Sequence, residues 1–181
     1  RSCLVGSEMC IRDRYWAQID LIDENIGRLL KVLEETGQID NTLIIFTSDH
    51  GDMTGDHGMT NKGCRFYDGL VRVPLILWYP PYFVEDLQSE ALVELIDIAP
   101  TILELAGLPI PARIQGKSLL PILSGNEAAD FHKAFVRAEF YDAGMLRNEH
   151  SYGFATMYRD SRYKIVNYPV SYTHLTLPTS P

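Results

Sequence analysis

Asp49 and His50, set between Ser48 and Gly51 directly after the apolar run from Thr42 to Thr47, are the residues whose types and spacing could do chemistry. A carboxylate and an imidazole side by side offer one oxygen and one nitrogen donor to a cation. Lys62 follows twelve residues after His50, in a loop that also holds Gly51, Gly55, Gly58 and Gly63. An ammonium brought to the same point would favour an anionic group, so the pattern reads as a metal-assisted site for an anion. Oxygen donors suit calcium or magnesium, and an imidazole moves the preference toward manganese or zinc. Adjacent residues on a regular strand point to opposite faces, so both can reach one ion only if the strand ends before Asp49.

Other candidates carry less. Asp56-His57 repeats the Asp-His pair seven residues on, so His57 is a possible substrate contact, and Asp52 is a candidate to orient a neighbouring ligand. The blander readings are an Asx turn for Asp49, a solvated imidazole for His50 and a solvated loop amine for Lys62. Cys64 lacks an identifiable base and reads as a small buried side chain rather than a nucleophile. His132 and His150 stand alone in sequence and read as structural or exposed. Gln115-Gly116-Lys117-Ser118 lacks the glycine spacing of a phosphate cradle.

The elements that must position these groups follow from periodicity. Ile19, Ile22, Ile26, Leu29, Leu30 and Leu33 repeat at helical spacing, which predicts a helix from Tyr15 to Thr36 that covers a sheet and stops at Gly37. Asp20, Asp23 and Glu24 are expected near its start, with Arg28 and Lys31 later, as the helix dipole favours. Thr42–Thr47 reads as a strand buried on both faces, the usual state in a parallel sheet. Phe66 to Leu70 reads as a helical turn, and a second strand lies within Val71–Tyr79, starting late because of Pro74. Leu92–Ala106 reads as helical with a break or start near Pro100 and Asp97 as its cap. A loop and short helix are expected over Ile110–Ser124, a strand over Phe135–Phe140, and a hairpin from Ser151–Tyr158 and Tyr163–Tyr168. The fold class is α/β, with a smaller antiparallel hairpin region after it.

The two ends stand apart from this pattern. Met9-Cys10-Ile11-Arg12-Asp13, written as ATG TGT ATA AGA GAC, has the reverse complement GTC TCT TAT ACA CAT, which encodes Val170-Ser171-Tyr172-Thr173-His174. No folding requirement produces that relation, and both stretches resemble translated sequencing adapters read in opposite directions. Residues 1–14 and 170–181 are therefore expected to be adapter-derived scar, with a native segment from Tyr15 to Pro169 that is itself a fragment. Without the tails, 13 basic residues face 22 acidic ones, a net charge of −9, against −8 for the whole chain. That surface argues against nucleic acid as a partner. Only Cys64 remains, so no internal disulfide is possible in that segment, and no apolar run is long enough to span a bilayer.

Three ordered stretches carry a resemblance. Thr42 to Asp52 with Gly55-Asp56-His57-Gly58, Asn61 to Ile76, and Leu95 to Gly107 followed by Gly116 to Leu123 together resemble the sulfatases of the alkaline-phosphatase superfamily. Met157 to Val166 is similar to the family's late hairpin. The resemblance implies an alkaline-phosphatase-like sheet with flanking helices, present in part. On that reading residues 15–125 are the late half of the catalytic domain and 126–169 the start of the smaller region. It also implies that Asp49 and His50 hold a divalent metal, usually calcium, with manganese or magnesium as alternatives. Lys62 would contact the sulfate as its ester bond breaks. A formylglycine nucleophile belongs to the family in a Cys- or Ser-x-Pro-x-Arg segment, and this sequence contains no such segment.

The function expected from the resemblance is sulfate-ester hydrolysis of a sulfated small molecule or carbohydrate. This chain alone, lacking the nucleophile, is expected to be inactive. A phosphodiesterase or phosphonate-ester hydrolase of the same superfamily, or a truncated paralogue without catalysis, are the alternatives. Oligomeric state and compartment are not legible in the residues, although the family suggests the periplasm or the cell exterior.

Overall fold

A computed structural model describes residues 2–141, 154–168 and 175–178 of the chain. They fall into two units, Arg1–Gly63 with Tyr67–Pro81, and Cys64–Phe66 with Tyr82–Pro181.

The first unit begins with helix α1, Ser2–Glu35. The expected helix is present, but it runs back through the stretch read as a tail. Asp20, Asp23 and Glu24 consequently lie in its middle, and no acidic residue occupies its first turn nor any basic residue its last. The dipole therefore does not explain those charges. At the other end the expected stop holds. Gly37 adopts φ +66°, its amide bonds Glu34 O, and the Gln38 amide reaches Leu33 O at 2.8 Å. That pair of bonds closes the helix as a left-handed glycine allows.

Strand β1, Ile44–Thr47, pairs antiparallel with β2, Leu75–Trp78, with Ile44 opposite Trp78 and Thr47 opposite Leu75. This corrects the expectation of a parallel sheet buried on both faces. A parallel return needs a crossover of a dozen residues or more, usually helical. The link between these strands holds one single-turn α-helix, α2 (Asp68–Val71), and otherwise turns. Phe46, Ile76 and Trp78 share one face of the pair and are exposed. Pro74 precedes β2, so its missing amide proton costs the ladder nothing, as expected.

α1 does not bury its whole stripe as a covering helix would: Ile26, Leu30 and Leu33 are half-buried, while Ile22 and Leu29 are exposed.

The second unit builds its core from Leu119, Ile122, Ala155, Met157 and Val166 around the fully buried Asp97, Pro100 and Thr101. A 3-10 turn, Leu95–Asp97, leads into α3, Ile98–Leu105. Pro100 lies in the first turn of α3, where an amide would be unpaired in any case. Asp97 holds the N-cap position of α3 as expected, but its side chain makes no capping bond to that helix. Its Oδ2 instead accepts the Glu94 amide at 2.9 Å, and its Oδ1 accepts the Lys117 amide at 2.8 Å and Lys133 Nζ at 2.7 Å. Gly116 meets the same turn so closely that a Cβ would lie 2.0 Å from Ile96 O. Helix α4, Leu120–Leu123, follows.

The unit ends in an antiparallel sheet ordered β3-β4-β5-β6, namely Val136–Phe140, Ala155–Arg159, Tyr163–Asn167 and Leu175–Pro178. The expected strand and hairpin are there. β6 is additional, because it falls in the stretch set aside as tail. Ala155 and Met157 face inward and Tyr158, Tyr163 and Ile165 outward, the alternation of a sheet with one covered face. Lys164 holds an inward position of that alternation despite its charge, and its ammonium donates to Phe66 O at 2.9 Å. No helix among the described residues is long and apolar enough to cross a membrane.

Candidate metal and anion site

β1 ends at Thr47, so Asp49 and His50 are free of the strand's alternation, as a shared site requires. Ser48 fastens the turn from within, its hydroxyl donating to His50 O at 2.8 Å. Gly51 holds it from outside, its amide donating to Leu70 O at 2.8 Å. Glycine is needed there because a Cβ would lie 1.9 Å from Gly69 O, and not because of a left-handed turn.

The Asp49 carboxylate is open to solvent, with its side chain 84% exposed. Its Oδ1 accepts the His50 amide at 2.9 Å. That bond, with the nearby His50 ring, holds the Asp49 carboxyl below its usual value, so it is an anionic donor at neutral pH. His50 Nε2 lies 3.6 Å from Asp49 Oδ2. His50 Nδ1 is 2.8 Å from Gly51 O, and Nε2 is 3.0 Å from Lys62 Nζ. A carbonyl only accepts and an ammonium only donates. The ring is therefore the tautomer with its proton on Nδ1 and its lone pair on Nε2.

Asp49, His50 and Lys62 are thus brought together as the sequence pattern expected. Asp52 and His57 are engaged elsewhere. Asp52 Oδ1 accepts the Met53 amide at 3.0 Å, and the His57 ring stacks on Tyr67 with centroids 4.5 Å apart. His57 sits at φ +56° in a 3-10 turn, Asp56–Gly58, that shapes the loop carrying Lys62. Arg12 donates to Thr54 O at 3.0 Å and pairs with Asp56 at 3.3 Å, so a residue of the stretch read as tail touches this loop. Cys64 is half-buried and burial raises its thiol pKa, which suits a packing role.

Sequence reasoning left one group unseen. His132, read as isolated, is buried with its Nε2 3.4 Å from Asp97 Oδ2. Lys133 pairs with both Asp97 and Glu94. Adjacent His132 and Lys133, 35 and 36 residues from Asp97, gave no local spacing by which to find it. His150 lies outside the described residues.

One test of a metal is the donor set itself. An exposed anionic carboxylate and an imidazole lone pair 3.6 Å away fit a divalent cation as part of a shell. Among the described residues no cluster of three or more such donors occurs.

The chain is similar to known proteins over most of its length. The family model described as Sulfatase matches residues 7–108. The N-acetylglucosamine-6-O-sulfatase of Bacteroides thetaiotaomicron is 46% identical over 123 residues, covering 66% of this chain and 22% of that protein. Arylsulfatase K of Rattus norvegicus is 34% identical over 163 residues, covering 87% of this chain and 28% of the relative. A solved complex with the substrate D-glucosamine-2-N,6-O-disulfate superposes with TM-score 0.74 at 34% identity, over 87% of this chain and 31% of that one. The phosphonate monoester hydrolase of Silicibacter pomeroyi gives 0.72 at 32% identity, with 87% and 31% covered. The chain spans less than a third of each. Its fold is that of the alkaline-phosphatase-like sulfatases, in part, and the family works with a divalent metal. The chain belongs to the sulfatase family.

Proposed function

We propose that this chain carries the Asp49-His50 portion of the metal site, and the sulfate-directed lysine, of a sulfuric-ester hydrolase. The observation that carries the reading is the convergence of Lys62 Nζ and Asp49 Oδ2 on His50 Nε2, at 3.0 and 3.6 Å. Asp49 and His50 would hold the divalent cation, calcium by family with manganese or magnesium as alternatives. The cation when bound supplies fixed positive charge to sulfate oxygens. Lys62 contributes a point charge on a flexible stem, able to follow an oxyanion as charge develops on it. Gly51, by its contact with Gly69, keeps Asp49 and His50 in register.

The formylglycine nucleophile would come from sequence outside this chain, so the chain alone is expected to release no sulfate from an activated aryl sulfate. The substrate class is a sulfated carbohydrate, supported by the likeness to the N-acetylglucosamine-6-O-sulfatase. Asp52 and His57 remain proposed contacts with substrate or neighbouring ligands. A phosphonate-ester reaction is the second reading, favoured by the likeness to the Silicibacter pomeroyi enzyme.

A chimera tests the reading: the aligned 123-residue stretch of the Bacteroides thetaiotaomicron enzyme is replaced by that of this chain. The chimera is expected to release sulfate from a 6-O-sulfated glucosamine faster than methylphosphonate from its aryl ester. Lys62→Ala should lower kcat about 100-fold or more, the loss typical of one removed oxyanion donor. Undiminished sulfate release by the folded Lys62→Ala chimera would reject the role of Lys62.

A further inference from the structure

His50 has one lone pair in the ring plane, and Lys62 is using it. The Nδ1–H is directed to Gly51 O at 2.8 Å, which leaves Nε2 as the acceptor for a Lys62 N–H at 3.0 Å. Nε2 is also the atom that would ligate a cation, with Asp49 Oδ2 3.6 Å away to share it. One lone pair cannot serve both. We propose that Lys62 and the divalent cation compete for His50 Nε2, so that cation entry expels the ammonium from the imidazole and frees it to meet an anion. The inference rests on the reading of Asp49 and His50 as cation ligands.

The consequence is an order of events built from two distances. Without the cation, the ammonium stands against the imidazole and keeps it in the tautomer that a metal needs. Loading exchanges that monovalent charge for a divalent one at the lone pair. The released lysine stem sits in a loop whose backbone turns at Asn61 (φ +67°) and Gly58 (φ +68°), and it carries its charge to whatever anion the cation holds. Lys62 is then a positioning residue for His50 before loading and an anion contact after it. Anion affinity at Lys62 should rise with cation occupancy, beyond the attraction of the cation's own charge.

Three measurements on the full chain, with MnCl2 as the probe, decide the matter. The Mn2+ affinity, read from the free-ion electron paramagnetic resonance signal, is expected to be about fivefold tighter in Lys62→Met than in the unsubstituted chain, the worth of one exposed hydrogen bond. Acetylation of the Lys62 amine by an activated ester, read by peptide mass spectrometry, should increase on Mn2+ addition. Lys31, exposed and paired with Glu35 at 3.7 Å, is the internal reference and should not change. In long-range proton–nitrogen spectra, Mn2+ should broaden His50 Nε2 selectively.

Mn2+ binding that broadens His50, with equal affinity in both proteins and unchanged Lys62 acetylation, would overturn the competition and leave the ligand reading standing. Mn2+ binding that persists in Asp49→Asn without broadening His50 would overturn the ligand reading and the competition with it.

Discussion

Lys133 Nζ lies 2.7 Å from Oδ1 of Asp97, a carboxylate with no exposure to solvent. Glu94 completes the pairing from the other side, and its Oε1 accepts the Arg137 amide at 2.8 Å. Asp97 and Glu94 together thus tie the turn before α3, the Gly116 loop and the start of the antiparallel sheet into a single unit.

Removing Asp97 leaves the Glu94 and Lys117 amides without an acceptor and the half-buried Lys133 ammonium with Glu94 alone. Asp97→Ala is expected to lower the stability of the second unit by about 3–5 kcal/mol, the usual cost of breaking a buried pair from one side. Urea unfolding followed by tryptophan-independent far-ultraviolet dichroism measures it. A loss below about 1 kcal/mol would show that water replaces the carboxylate without strain.

His132 gives the same unit a pH dependence. Burial depresses its pKa, opposed by Asp97 and assisted by Lys117 and Lys133. A group whose pKa falls on folding holds its proton better when unfolded. Stability is therefore full above the unfolded value of 6.5 and falls as the pH drops through it toward the lower folded value. Melting temperatures between pH 8 and 5 should show this decline, and His132→Phe should flatten the part of it that begins at the unfolded value. A decline of equal slope in both proteins would assign it to the carboxylates instead.

Gly51→Ala tests the packing behind the proposed site. The added Cβ would lie 1.9 Å from Gly69 O, so the turn must shift, at about 1–3 kcal/mol. Loss of the His50–Lys62 bond should follow, seen as increased acetylation of Lys62 without any metal. Unchanged Lys62 reactivity would mean that the Asp49-His50 turn is held by Ser48 alone.

The proposed tails predict a simple deletion result. A chain of residues 15–169 should keep the slow hydrogen exchange of the Lys117 and Leu119 amides, which bond Asp97 Oδ1 and Thr101 Oγ1 at 2.8 Å each. Their exchange would accelerate if β6, which pairs with β5, were needed to hold the unit together.

Where the sequence was legible, the signal was local. Gly37 marked a helix end, Pro74 placed the start of β2 after it, and Ser-Asp-His-Gly with Lys62 at a fixed distance marked a site that the fold brings together. Apolarity on both faces of Thr42–Thr47 did not distinguish parallel from antiparallel pairing, because burial pattern reports what covers a strand and not the direction of its neighbour. The distant partners of the Asp97 side chain, Lys117 and Lys133, went unseen since they are 20 and 36 residues away and no periodicity connects them. The requirement for glycine at position 51 left no local signal either, being set by the distant backbone of Gly69.

The most direct test of the central claim is anomalous scattering from crystals of the chimera grown with Mn2+. The ion is expected within about 2.0–2.6 Å of the Asp49 carboxylate and of His50 Nε2, with the Lys62 amine displaced from the imidazole toward bound sulfate. An ordered ion ligated elsewhere, with Asp49 and His50 both outside coordination distance and Lys62 still bonded to His50, would contradict it.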